Sequence, residues 1–545
     1  MRAIFLSLIT SIGCSASQPP AVTPDSPGSS IDSATTSDAP AIGQTSTLSI
    51  ETAPNTSASS LFADDYKNYN TTAQTGNGNG DLVPRAISKV SIASAAQQVY
   101  VESQTWFCHL ASNEGTDRLI PNARCDSHID IGYNADDPTH VAAAVADMQS
   151  RGLAGVIMDW SGKDPSHDGD ATYYPTGTST ETTKARGSSE VGTNAIYAYR
   201  DAAEAAGSFK FAVSEDEGIT RCRNGHCACW PAYGSECNET SEVISDLSYI
   251  NAHWADSAAY LRVDGKPVVT FFAPDYDACP CSNPVNNVCP DKTTVCKTID
   301  WNKVHQFVGD QVWVFENKSG YGHAFSGGAF DWVSTTKYPG TDSTAGVSSV
   351  AAYDAFVKKA GNVGASQHVF AGAFKGFDDG VTDGWKYADG THTRYIDQRC
   401  GATWLKTLAQ VVNDFPAGAE FLQLPTWDDY EEATELETGI DTCVSGFTGA
   451  VSGTQLSWTV SYGKDLTGTA SGSDDTIDHF VVWASPDGEQ LVRVAPNLVP
   501  DSSGALPHSL DLATYPLPAG ATMVFVQAIG KPFLTNSMST AIAVH

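Results

Sequence analysis

Acidic and aromatic side chains recur at the ends of short apolar runs along the middle of this chain. The first run closes on Trp106, Phe107 and His109, the second on Asp159-Trp160, and the third on Glu215-Asp216-Glu217. The fourth reaches Asp275-Tyr276, the fifth Glu316-Asn317 and the sixth Lys337-Tyr338. The seventh continues to Lys375, Asp378 and Asp379, and the eighth enters Trp427-Asp428-Asp429-Tyr430-Glu431-Glu432. One acid at a strand end is ordinarily a solvated loop residue or a helix cap. Acids converging from many strand ends raise one another's pKa, which sets a proton donor beside an ionised partner. Cleavage of a glycosidic bond needs such a pair, and flat aromatic faces among the acids suit sugar rings.

Other chemistries have little support. There is no Gly-x-Ser-x-Gly elbow and no His-Glu-x-x-His zinc helix. Asp164, Asp168 and Asp170 are candidate calcium ligands, but the rest of an EF-hand loop is missing and a polar loop is the plainer reading. His109 reads as a hydrogen-bonding group for a sugar or a neighbour rather than a metal ligand. No cofactor and no metal are expected.

The elements that must position these groups follow from an alternation. The apolar runs are Val99 to Trp106, Gly155 to Trp160, Phe209 to Ser214, Pro267 to Ala273, Val312 to Glu316, Phe330 to Thr335, His368 to Phe374 and Ala419 to Leu424. Between them lie amphipathic stretches, Pro138 to Arg151, Ala195 to Ala206, Ser241 to Leu261, Trp301 to Val308, Ser348 to Ala360 and Ala402 to Phe415. The link between the fifth and sixth runs is short and Gly-rich, so a helix there is weak. Strands alternating with helices predict an α/β fold, a parallel sheet closed into a (β/α)8 TIM barrel over residues 86–445. An open doubly wound sheet is the rival, disfavoured because no Gly-rich phosphate loop follows the first run. From residue 446 to 545 the helices stop. Leu456 to Tyr462, Phe480 to Ser485, Gln490 to Ala495, Ser509 to Leu512 and Met523 to Ala528 predict a C-terminal all-β sandwich. The pair Leu456-Ser457-Trp458 and Phe480-Val481-Val482-Trp483 resembles a fibronectin type III module.

Lys and Arg total 31 against 63 Asp and Glu, a formal charge of −32. Such a balance repels phosphate backbones and anionic lipid, so nucleic acid is excluded as a partner. It suits an exported monomer acting on a neutral polysaccharide or oligosaccharide. Residues 1–14 read as a signal peptide. Ser11-Ile12-Gly13-Cys14 approximates a lipobox, so membrane anchoring through a lipidated Cys14 is one reading and an ordinary signal peptide the other. The expected location is extracellular or at the cell surface, as an outer-membrane lipoprotein if Cys14 is acylated. Residues 15–85 are rich in Ser, Thr, Ala, Pro and Asp, the composition of a disordered tether. Of 13 Cys, 12 remain after Cys14, an even number that suits disulfides in an oxidising compartment. Eight cluster as Cys222, Cys227, Cys229, Cys237 and Cys279, Cys281, Cys289, Cys296, and zinc is the alternative for either group.

The eighth strand end is the most specific stretch. Thr426-Trp427-Asp428-Asp429-Tyr430-Glu431-Glu432-Ala433-Thr434-Glu435-Leu436-Glu437 resembles the Trp-Asn-Asp/Glu-x-x-Glu-Gly-Thr-x-Ile-Glu signature of the glycoside hydrolase family 71 and family 99 clan. Gly155 to Trp160, Lys210 to Glu217 and Tyr260 to Phe272 resemble the clan's second, third and fourth strands. The resemblance implies a glycosidase acting on α-glucan or α-mannan, with Asp429 and Glu432 as the catalytic acids. Asp428 stands where the clan has Asn and adds a third negative charge. Ala433 stands where it has Gly and is strained if the backbone there needs a positive φ. Trp106, His109, Asp159, Trp160, Glu215, Asp216, Glu217, Glu316, Tyr338, Asp378, Trp427 and Tyr430 are the candidate substrate-binding residues. A barrel that binds polysaccharide at a surface without cutting it is the alternative.

Overall fold

The computed structural model describes residues 56–57, 92, 96–107, 133–162, 188–216, 239–272, 299–333, 351–363, 367–378, 395–416, 418–465, 468, 470–488 and 490–544. His109, Glu217, Tyr338, Cys14, the two cysteine clusters and the Asp164 to Asp170 loop lie outside them, as does all of the expected tether except Thr56–Ser57. Those two residues pair antiparallel with Leu491 and Gln490.

Eight parallel strands form the first unit: β1 (Ala96–Gln104), β2 (Gly155–Trp160), β3 (Lys210–Asp216), β4 (Lys266–Phe272), β5 (Val312–Glu316), β6 (Ser326–Phe330), β7 (His368–Gly372) and β8 (Ala419–Leu424). They pair in the order β3-β2-β1-β8-β7-β6-β5-β4, and β3 pairs with β4 to close the ring. The result is a (β/α)8 barrel. Six helices surround it among the described residues: α1 (Pro138–Ser150), α2 (Ser188–Ala206), α3 (Glu239–His253), α4 (Trp301–Val308), α5 (Ala351–Ala360) and α6 (Ala402–Asp414). Each start is locally encoded where a cap is visible. Asp137 accepts from Thr139 N at 2.8 Å, and Pro138 takes the first helical position, where no N–H is needed. Asp300 caps α4, and Gly309 at φ 89° ends it.

The period-2 rule sorts the barrel residues. Trp160, Phe271, Trp313 and Phe315 point outward: Trp160 meets Trp254 edge-on at 5.0 Å, and Phe271 meets Trp301 of α4 at 5.1 Å. Their neighbours in sequence, Asp159, Thr270 and Val314, therefore point inward. The weak link after β5 is a five-residue 3₁₀ turn, Lys318–Gly322. The sixth strand begins at Ser326 and not at Phe330. Its Gly327 and Gly328 were too small to register as an apolar run, yet their smallness is what allows the pairing. A Cβ on Gly328 would lie 2.4 Å from the His368 carbonyl oxygen.

The C-terminal residues form two antiparallel sheets. One holds β9 (Val444–Ser452), β10 (Gln455–Tyr462) and β13 (Ser509–Asp511). The other holds β11 (Ile477–Ser485), β12 (Gln490–Arg493), β14 (Met523–Gly530), β15 (Ser537–Met538) and β16 (Ile542–Ala543). Leu456, Trp458, Phe480, Val482, Val524 and Val526 fill the space between them. β9 was not expected, because its Ser, Gly and Thr residues hide its alternation. Cys400, at the entrance to α6, is disulfide-bonded to Cys443, at the start of β9, with 5.3 Å between their Cα atoms.

Candidate active site

β8 delivers the chain into a folded-back loop, residues 425–440. Trp427 N donates to Glu102 O of β1 at 2.6 Å, and Glu437 N donates to Trp427 O at 2.9 Å. Thr434 N donates to Asp429 O at 3.1 Å. The Thr426 and Thr434 hydroxyls meet at 2.8 Å, and Asp429 N donates to Thr426 Oγ1 at 2.9 Å. Ala433 closes this turn at φ 52°, in the left-handed region that favours glycine. Glu435 anchors the loop to the end of β7 through Lys375 Nζ at 2.6 Å, with both side chains buried.

Asp429 is held from two sides. Its Oδ1 accepts from Glu432 N at 2.9 Å and Glu431 N at 3.1 Å. Its Oδ2 faces Gln104 Nε2 of β1 at 3.5 Å. Glu432 is half-buried and is the more accessible of the two; its carbonyl accepts from Asp378 N at 2.9 Å. Burial, then the charges of Glu432 and Glu431, push the Asp429 carboxyl well above the usual carboxylate range.

Other acids on inward-facing positions complete the mouth. Burial, then Asp216, Glu102 and Asp429, raise Asp159 strongly. Glu102 of β1 is fully buried and accepts from Gln423 Nε2 of β8 at 2.9 Å. Burial, reinforced by Glu316, Asp216 and Glu432, pushes it up to about 8. Glu102 is thus within electrostatic range of Asp159, Asp216, Glu316 and Glu432, and Asp159 within range of Asp216 and Asp429. Sequence reasoning missed Glu102 because it looked only at strand ends. The signal was there, since Tyr100, Glu102 and Gln104 share one face of β1. Asp428 points away from the mouth into the wall. Its Oδ1 accepts from Gln104 N at 2.8 Å and its Oδ2 from Ser103 Oγ at 2.9 Å. Its charge still raises Asp429, but less than those of Glu432 and Glu431.

Four expected contacts are corrected by packing. Trp160 is fully buried under the helices, with Nε1 donating to Thr193 Oγ1 at 3.1 Å. Glu215 pairs in register with Trp160 and Phe271, so it shares their outer face. Trp427 is fully buried beneath the Arg151 guanidinium, 4.8 Å away. Tyr430 is buried with its hydroxyl donating to Glu437 Oε2 at 2.7 Å. Strand alternation turns Trp160 and Glu215 away from the inward acids beside them, and the folded-back loop packs Trp427 and Tyr430 into the wall. Trp106 is half-exposed at the end of β1, and Asp378 is buried beside Glu432. Among the described residues no group of three or more His, Cys, Asp or Glu side chains is arranged to hold a metal ion.

No family model matches the chain, and no curated protein does. Among solved structures, it is similar to a family 99 endo-α-mannosidase from Bacteroides thetaiotaomicron, at 14% identity and a TM-score of 0.38, covering 64% of this chain and 88% of that one. A glycoside hydrolase-like protein matches at 10% identity and a TM-score of 0.39, over 69% of this chain and 92% of that one. A family 5 glycoside hydrolase from Bacteroides vulgatus matches at 8% and 0.30, over 75% and 83%. These likenesses are distant.

Proposed function

We propose that this chain is an exported glycoside hydrolase that cuts α-linked polysaccharide of the α-glucan or α-mannan class, with Asp429 and Glu432 as its carboxylate pair. The observation that supports this most directly is the asymmetry of the pair. One oxygen of Asp429 is fixed by two backbone N–H groups, while Glu432 is the half-exposed partner on the same turn. Glu432 gives its proton to the leaving oxygen as the bond from that oxygen to the anomeric carbon breaks. Asp429 takes a proton from the attacking group, a water or the sugar's own neighbouring hydroxyl, as the new bond to that carbon forms. Burial makes ionised Asp429 a stronger base than an exposed carboxylate. Asp159, Asp216 and Glu316 would hold sugar hydroxyls around the pair, and buried Glu102 would act on them through its charge.

Hydrolysis of a panel of α-glucans and α-mannans tests the reading. Glu432→Gln and Asp429→Asn should each lower turnover by about 10²–10⁴-fold with the fold retained. A substrate with a good leaving group should restore Glu432→Gln only, because such a group needs little protonation. Near-normal rates in both variants would leave polysaccharide binding without cleavage as the function. The anomeric configuration of the first product, followed by NMR, separates attack by water from attack by the sugar hydroxyl.

A further inference from the structure

No described helix follows β8, and the outer wall between α6 and α1 is filled by a tip of the sandwich between β14 and β15. Phe533 and Leu534 are fully buried and belong to the barrel core, not to the sandwich core. The Phe533 ring meets Trp404 of α6 edge-on at 5.7 Å, and Arg151, at the end of α1, lies 5.6 Å above it. Trp404 Nε1 donates to Pro532 O at 3.0 Å. Ile440 N donates to Phe533 O, and Thr535 N to Ile440 O, each at 2.9 Å. The tip is therefore bonded to the far end of the loop that carries Asp429 and Glu432.

A second path runs through Arg151. Its guanidinium lies over both the Trp427 and the Phe533 rings, at 4.8 and 5.6 Å. It donates to Leu436 O at 2.8 Å and Glu437 O at 2.9 Å, and it is paired with Asp147. Leu436 N and Glu437 N in turn donate to Trp427 O at 3.1 and 2.9 Å. Trp427 stands two residues before Asp429 and five before Glu432. Phe533 has φ 66°, where a bulky residue rarely sits unless its surroundings over-determine it.

We infer that Phe533 is a positioning residue of the active site: the sandwich holds the acid-bearing loop in place through Phe533, Arg151 and Trp427. The inference rests on the reading of Asp429 and Glu432 as the carboxylate pair. Without the ring, Arg151 loses one of its two aromatic contacts, and the carbonyls it holds are free to shift. Displacing a catalytic group by about 1 Å is enough to lower a rate by about 10²-fold.

The test uses the full chain, well below its unfolding midpoint. Phe533→Ala should lower kcat by about 100-fold with KM within about threefold, and should speed amide exchange at Trp427, Leu436 and Glu437. Phe533→Leu keeps bulk but not the aromatic contact with Arg151, so it should show a smaller loss in both readouts, about tenfold in kcat, and its wild-type behaviour would overturn the inference if the alanine variant does not fold. Leu456→Ala, in the sandwich core, serves as a destabilised control and should leave kcat and loop exchange unchanged. Wild-type kcat and loop exchange in Phe533→Ala would overturn the inference, as would an equal loss in Leu456→Ala. Full turnover in Glu432→Gln would instead overturn the catalytic reading, while the exchange measurement still decides whether the tip holds the loop.

Discussion

Asp428→Asn should make the protein more stable at alkaline pH and leave it unchanged in acid. Asp428 is buried, and burial lifts its carboxyl from the ordinary 3.8 to about 7, even though Gln104 N–H and Ser103 O–H both favour the anion. A carboxyl whose pKa is raised on folding contributes stability that is fully present below its unfolded pKa and is lost as pH climbs through the folded one. A shift of about 3 units at about 1.4 kcal/mol each gives an upper bound of about 4 kcal/mol, of which about 2.5 kcal/mol falls between pH 5 and pH 8. Asparagine matches the shape, keeps the bond from Gln104 N at Oδ1, and offers its NH₂ to a turned Ser103 hydroxyl. Urea unfolding of both proteins at pH 5 and pH 8, with equal m-values, reads the difference. Glu102 and the other buried acids tilt both curves alike, so only the gap between them matters. A gap that stays constant with pH would refute the reasoning and mean that Asp428 does not change its ionisation over this range.

Glu431→Gln should keep turnover and move the acid limb of kcat/KM to lower pH, because Glu431 is one of the charges that raise Asp429; an unmoved limb would remove Asp429 as the base. Ala433→Gly should stabilise the fold by about 0.5–1 kcal/mol by relieving φ 52°, and a loss of stability in thermal unfolding would count against the strain. Cys400→Ala with Cys443→Ala opens a bridge spanning 43 residues, for which chain entropy gives about 4 kcal/mol. A much smaller loss in denaturant titration would mean that the Phe533 tip alone ties the two parts together.

Much of the barrel was readable because its signal is local. Val312–Glu316 and Ala419–Leu424 are strands with the expected bounds, and Trp301–Val308 is a helix with its cap and its glycine stop. The acids at the ends of β2, β3, β5 and β8 were visible for the same reason. What was misread depends on facing and not on composition. Trp160 and Trp427 look like sugar platforms beside Asp159 and Asp428, yet both pack outward. The hold of the sandwich on the barrel was hidden for a different reason. Lys531-Pro532-Phe533-Leu534 reads as an ordinary hairpin tip, and only the tertiary fold sets Phe533 against Arg151, hundreds of residues earlier in the chain.

The glycines of the barrel carry a warning for comparisons among future relatives of this chain. A Cβ on Gly155 would stand 2.3 Å from the Lys210 carbonyl oxygen, and one on Gly328 2.4 Å from that of His368. In both cases the obstacle is backbone, which cannot swing aside as a side chain can. Selection should hold these two positions fixed across any set of descendants, whatever chemistry each one carries out. They would then rank beside Asp429 and Glu432 in a table of invariant residues while touching no substrate. Separating the two kinds of invariance calls for asking what a methyl group would strike at each position, and not how seldom the position changes.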